Sequence, residues 1–367
     1  MFFRDDFPWS VGRCIVVMSR RERKSGPPQS DLHGPAVEPA DRGRFWLGVL
    51  GTVFSLAVGV VIAERLTRPA EDLDRQWSEA APATAPRRDR EVHPPPPVRP
   101  SLDELTDDAT RLADELAESF PDDAAALAMS GRILFYFGNA EKAKERWNQS
   151  VQVNPKSAAA WLGMAELARK QGDSQTAVDC MRRLAEADPA LAREKIFLLV
   201  DSLLKLGRAR EAADALEASA KEVPLPAWAR VMLGQAYYQL ADYARAAEQY
   251  QQALDDPRQA SVAHYGLSSA LVRLGRHDEA RKHRREYARL QEKNMVVFDR
   301  MQQAGTSEER RDPVPWYPIV AGFHIEAGRL YALRGQPQRA EEHWLRAWAL
   351  APDRPEPRRL LELLDGQ

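Results

Sequence analysis

Disulfide frameworks, metal clusters and the usual signatures of catalysis are missing from this chain. Only Cys14 and Cys180 occur in 367 residues, and neither stands in a metal-type spacing. There is no HExxH, no glycine-rich phosphate loop after a strand and no GxSxG. The seven histidines are scattered, and His264 and His324 stand at equivalent points of a repeat, which packing explains better than metal ligation. Paired acids such as Glu341 and Glu342, or Asp255 and Asp256, fall on expected surfaces or turns without the desolvation a catalytic pair needs. Net charge is −2, which provides no general field for nucleic acid. The expectation is a protein that is not an enzyme and has no cofactor, no metal and no nucleic-acid partner.

What the chain does have is a period. Ala143, Ala177, Ala212, Ala246 and Ala280 are spaced 34, 35, 34 and 34 residues apart, and Ala340 follows after 60, as if about 26 residues had been inserted. Each alanine comes five residues after Gly138, Gly172, Gly207, Ala241, Gly275 or Gly335. Pro155, Pro189, Pro224 and Pro352 follow twelve residues later, with Pro257 one residue early and Glu292 as the exception. Each unit reads as two antiparallel helices. Glycine permits the left-handed residue that ends the first. Alanine lets the second approach closely, and proline blocks its continuation. Another small position lies seven residues before the helix end: Gly131, Ala165, Gly234, Ser268 and Gly328, with Val200 the outlier. Val200, Arg284 at an aromatic position and Pro257 point to looser packing in the third and fifth units. One hairpin cannot bury its apolar face alone, but a stack can.

Gly328, Tyr331, Gly335, Ala340, Trp344, Ala347 and Pro352 resemble the tetratricopeptide repeat pattern from its small residue to its proline, and Trp161, Ala165, Gly172, Ala177 and Pro189 do so again. The resemblance covers 121–352, with an interruption near 291–317. It implies an all-α solenoid, a right-handed superhelix of helical hairpins. The organisation read from it is a half repeat at 101–120 and units at 121–155, 156–189, 190–224, 225–257 and 258–292. An insert at 293–317, a unit at 318–352 and a capping helix at 353–367 complete the 101–367 solenoid. The half repeat, with Leu105, Ala109, Leu112, Ala113 and Leu116 on one face, and the closing helix are expected to cap the two ends.

In that family the first helices line a concave groove that binds proteins or peptides. Carried onto this chain, the groove positions are Arg132, Phe135 and Tyr136, then Leu162, Glu166, Arg169 and Lys170, then Phe197, Asp201 and Lys205. Trp228, Gln235 and Tyr238 follow, then Tyr265 and Arg273, and Ile325 and Arg329. Aromatics and arginine dominate interface hot spots; the other reading is that the aromatics pack between repeats and show only their edges. The family's chaperone-tail clamp is not matched, because its asparagine positions hold Arg132, Glu166, Asp201, Gln235, Ser269 and Arg329.

Upstream, residues 1–44 read as a basic tail and 64–100 as a proline-rich linker ending in Pro94–Pro97. Between them, 45–63 are 19 uncharged residues, about 28 Å of helix against a hydrocarbon core of roughly 30 Å. A retained membrane helix, a cleaved signal sequence and a buried globular helix are the three readings. The absence of a polar face, the length of the run and the long leader favour the first. Arg20, Arg21, Arg23, Lys24, Arg42 and Arg44 upstream favour an N-terminus in the cytoplasm and a single-pass protein with an extracytoplasmic repeat domain. Gly51, Ser55 and Gly59 share one face of that helix, a spacing that allows homodimer packing. The functional expectation is a membrane-anchored scaffold or adaptor with a protein or peptide ligand; the alternative is a self-associating structural or assembly factor of the cell envelope.

Overall fold

The computed structural model describes residues 94–304 and 313–365. The tail, the 45–63 segment with Gly51, Ser55 and Gly59, Cys14 and most of the 64–100 linker lie outside the described residues. Among the described residues fifteen α-helices follow one another with no strand. They are α1 (Leu102–Ser119), α2 (Ala124–Tyr136), α3 (Ala140–Val153), α4 (Ala158–Gln171), α5 (Ser174–Ala187), α6 (Pro189–Glu194), α7 (Ile196–Lys205) and α8 (Ala209–Ala220). Then come α9 (Ala227–Gln239), α10 (Tyr243–Gln252), α11 (Pro257–Arg273), α12 (His277–Ala304), α13 (Tyr317–Leu333), α14 (Pro337–Leu350) and α15 (Pro355–Asp365). No helix among them is long and apolar enough to cross a membrane.

The turns inside the hairpins are built alike. Gly138, Gly172, Gly207, Gly275 and Gly335 have φ between 72° and 83°, and Ala241 takes the same left-handed conformation at 61°. In three units the next residue is an N-cap: Asn139, Asp173 and Asp242 accept from the backbone N–H three residues on. Pro257 opens α11 as its first residue behind the Asp256 cap, so the early proline starts a helix. The first helix of the third unit is split at Lys195 into α6 and α7, a break that carries no Gly or Pro.

Between hairpins, aromatic side chains of second helices slot against glycines. Trp147 of α3 is 1% exposed and donates from Nε1 to the Ala128 carbonyl at 3.1 Å. A Cβ on Gly131 of its own unit, or on Gly163 of the next, would lie 2.6 Å or 2.4 Å from the indole. Tyr250 sits in the same way against Gly234 and Gly266, and Trp344 against Gly328. In the third unit Val200 replaces the glycine and Leu216 the aromatic ring, and both are fully buried. A larger residue on one helix thus goes with a smaller one on the other.

The first helices α2, α4, α7, α9 and α11 pack on their neighbours in turn, while successive second helices do not do so to that extent. First helices therefore line the inner side of the curve.

The sixth hairpin departs from a linear stack. α13 packs on α14 and on α1, and one core unites Leu105, Leu112 and Leu116 with Tyr317, Tyr331, Trp344 and Leu360. The phenol of Tyr317 donates to the Pro100 carbonyl at 3.1 Å, and Val98 N–H donates to the Ala349 carbonyl at 3.1 Å. Phe120 packs on Tyr331 with ring centroids 5.0 Å apart. The half repeat expected to cap the N-terminal end thus has partners on two faces: one carries the first repeat, where Ser130 bonds to the Ala113 carbonyl at 2.6 Å, and another carries the sixth hairpin. α12 meanwhile runs on unbroken to Ala304, into the segment that interrupts the register.

Candidate partner-binding groove

The groove residues of the second to fifth units are half-buried or exposed on the first helices, and they pair across neighbouring elements. Lys170 Nζ sits 4.9 Å above the Phe135 ring. Phe197 meets Trp228 edge-on at 6.4 Å. Tyr238 meets Tyr243 at 5.3 Å, and the Arg273 guanidinium lies 4.8 Å over Tyr243. Tyr265 packs on Tyr287 at 5.1 Å. Lys205 is held by Asp201 at 2.7 Å, and Gln235 is half-buried. Aromatic faces with cations beside them are suited to apolar and acidic groups.

The electrostatic centre is Glu166. Burial pushes its carboxyl above the usual range even though Lys195, Arg169, Arg132 and Lys170 all pull the other way. Arg169 adds a buried Nε with no hydrogen-bond partner among the described residues.

Four groove positions belong elsewhere. Arg132 pairs with Glu326 of α13. Tyr136 packs edge-on against Trp316 at 6.0 Å and Phe323 at 5.8 Å. Arg329 is 8% exposed and Ile325 2%, so neither is displayed. The sixth hairpin, expected to extend the groove, covers the first unit's end of it. Among the described residues no group of three or more His, Cys, Asp or Glu could hold a metal ion. Cys180 is a core residue beside Met181, Leu184 and Leu198, and burial pushes its thiol up to about 11.

A family model described as Tetratricopeptide repeat matches residues 128–192, 197–261 and 231–294. Over those residues the chain matches the tetratricopeptide repeat family. The solved structures similar to this chain include MamA from Desulfovibrio magneticus RS-1, 22% identical over 46% of this chain and 96% of that one, with a TM-score of 0.42. YrrB, a tetratricopeptide protein described as having an unusual peptide-binding site, is 15% identical over 52% of this chain and 97% of its own, with a TM-score of 0.45. PilF of Pseudomonas aeruginosa is 18% identical over 68% and 99%, with a TM-score of 0.37. No curated protein matches the chain in sequence.

Sequence reasoning missed two sets of residues. Gly163 and Gly266 receive aromatic rings from the preceding unit. Their signal is a glycine two residues before the small position. Asp108, Glu115, His343, Arg339 and Arg346 join α1 to the sixth hairpin, and nothing in their spacing announces it.

Proposed function

We propose that this protein is a non-catalytic scaffold that binds partner proteins or peptides along the inner helices of its tetratricopeptide array. The observation that carries this reading is the run of ring–ring and cation–ring pairs, half-buried rings with exposed cations, from Phe135 and Lys170 to Tyr238, Tyr243 and Arg273, on the side where first helices meet. The chemistry is reversible: rings take apolar side chains, and Arg169, Lys170 and Arg273 take acidic ones. The 45–63 run is proposed as the membrane anchor, with the array outside the cytoplasm; the basic residues upstream support that orientation.

Photo-crosslinkers placed in cells at Gln235 and Gln239 should capture a partner. Changing Lys170→Glu, Trp228→Ala and Tyr238→Ala together should reduce capture at least tenfold with helicity retained. Full capture by the triple variant would refute the groove reading. A cysteine introduced at 81–93 should label with a membrane-impermeant thiol reagent on intact cells; labelling only after lysis would reverse the orientation.

A further inference from the structure

Two histidines are buried where α1 meets the sixth hairpin. His324 is 4% exposed and His343 7%, and their Nδ1 atoms are 3.1 Å apart. His324 Nε2 lies 3.4 Å from Asp108 Oδ2, and His343 Nε2 lies 3.6 Å from Glu115 Oε1. The other charged and polar groups around the pair come from three elements. α1 supplies Asp108, with Arg111 beside it at 3.6 Å, and Glu115. α13 supplies Tyr331, which stacks on His343 at 5.1 Å and donates to Glu115 at 2.9 Å. α14 supplies Arg346, 2.8 Å from Asp108, and Arg339, 3.3 Å from Glu115. Beyond the pair, Arg334 bonds to Asp123 at the start of α2. With both histidines neutral, the carboxylates Asp108, Glu115 and Asp123 are matched by Arg346, Arg339 and Arg334.

We propose that the sixth hairpin is a proton-sensitive latch, held on α1 by the His324–His343 pair and released when the pair takes up its second proton. The hydrogen-bond inventory requires this order. A carboxylate only accepts, so His324 carries its proton on Nε2 toward Asp108 and accepts at Nδ1 from His343. His343 Nε2 is then unprotonated and buried, and no hydrogen-bond partner reaches it among the described residues. That nitrogen points at Glu115, 3.6 Å away. A second proton must land on His324 Nδ1, where it breaks the bond to His343 and sets two N–H groups against each other beside two arginines. Burial accordingly depresses the ionisation of His324 against the pull of Asp108. A histidine depressed when docked binds fewer protons than when free. Docking is therefore intact above the free value of about 6.5 and weakens as pH falls below it. The carboxylates stay charged through that range. Burial tends to raise Asp108, but His324 and Arg346 hold it at about 2. The His343 imidazole and Tyr331 hydroxyl hold Glu115 below the usual range.

Release would also return Arg132 and Tyr136 to the groove, a consequence that rests on the proposed function, whereas the latch itself does not. The fifth unit contains an internal control. His264 and His283 occupy the equivalent positions with Nδ1 atoms 2.9 Å apart, half-buried and away from α1.

The test is hydrogen exchange on the full-length protein in detergent from pH 7.5 to 5.0, normalised to intrinsic rates. Protection of 102–119 and 317–350 should fall about tenfold per pH unit below 6.5, the slope for one linked proton, with 158–252 unchanged. His324→Gln with His343→Gln should flatten the slope, and His264→Gln with His283→Gln should leave it. Should the double variant not dock at pH 7.5, His324→Gln alone should be flat. Unchanged wild-type protection, an equal fall across 158–252, or a slope that survives His324→Gln would overturn the latch. None of these readings depends on a partner being captured.

Discussion

At Ala241 the chain meets a steric demand with the wrong side chain. Five of the six hairpin turns place glycine in the left-handed region, and Ala241 holds φ 61° with a Cβ that crowds its own carbonyl. The strain is in the backbone: at the equivalent Gly172, Gly207, Gly275 and Gly335 an added Cβ would meet nothing within 4 Å. Ala241→Gly should therefore stabilise the fourth unit by about 1 kcal/mol, after the larger unfolded-state entropy of glycine is subtracted. A urea midpoint that falls, or fails to rise, would show that the turn carries no strain. The spacing of these turns is legible in the amino-acid order because the cause is local chirality, which recurs wherever a helix must stop in one residue.

Where helices meet, the controlling quantity is volume. Trp147 fills the gap between α2 and α4 only because Gly131 and Gly163 have no side chain. Two effects compete in Gly163→Ala. Helix propensity favours alanine by about 1 kcal/mol. Overpacking costs about 1–3 kcal/mol, and the indole cannot step aside while its Nε1 is tied to Ala128. Overpacking should win, for a net loss of up to about 2 kcal/mol, read as a lower denaturation midpoint; a gain in stability would mean the ring is freer than its hydrogen bond implies. Val200 with Leu216 shows the same rule run backwards, a larger residue on one helix allowed by a smaller one on its partner. The own-unit glycines could be picked out in the sequence because they repeat. Gly163 and Gly266 could not, because their partners lie in the preceding unit and the pairing occurs only where that unit carries an aromatic ring.

For the whole molecule, the decisive contact joins residues more than 190 apart: Arg132 with Glu326, Arg346 with Asp108, Tyr331 with Glu115. In a linear array, removing α1 would loosen only the first unit. Here, deletion of residues 101–119 should strip exchange protection from 317–350 as well, while 158–252 stays protected. Retained protection at 317–350 would mean the hairpin docks without α1. The amino-acid order alone determined that the chain forms paired helices, where each pair turns, and which alanines and glycines allow close approach, since each depends on groups a few residues apart. It determined the aromatic and basic character of the first helices for the same reason. The tertiary structure alone decided where the last hairpin sits, and with it the fate of Arg132, Tyr136 and Arg329. A repeat pattern describes the shape of a docking face, which α1 and α12 both offer as second helices. The choice between them falls to scattered charges and histidines that come together only once the chain has folded back on itself.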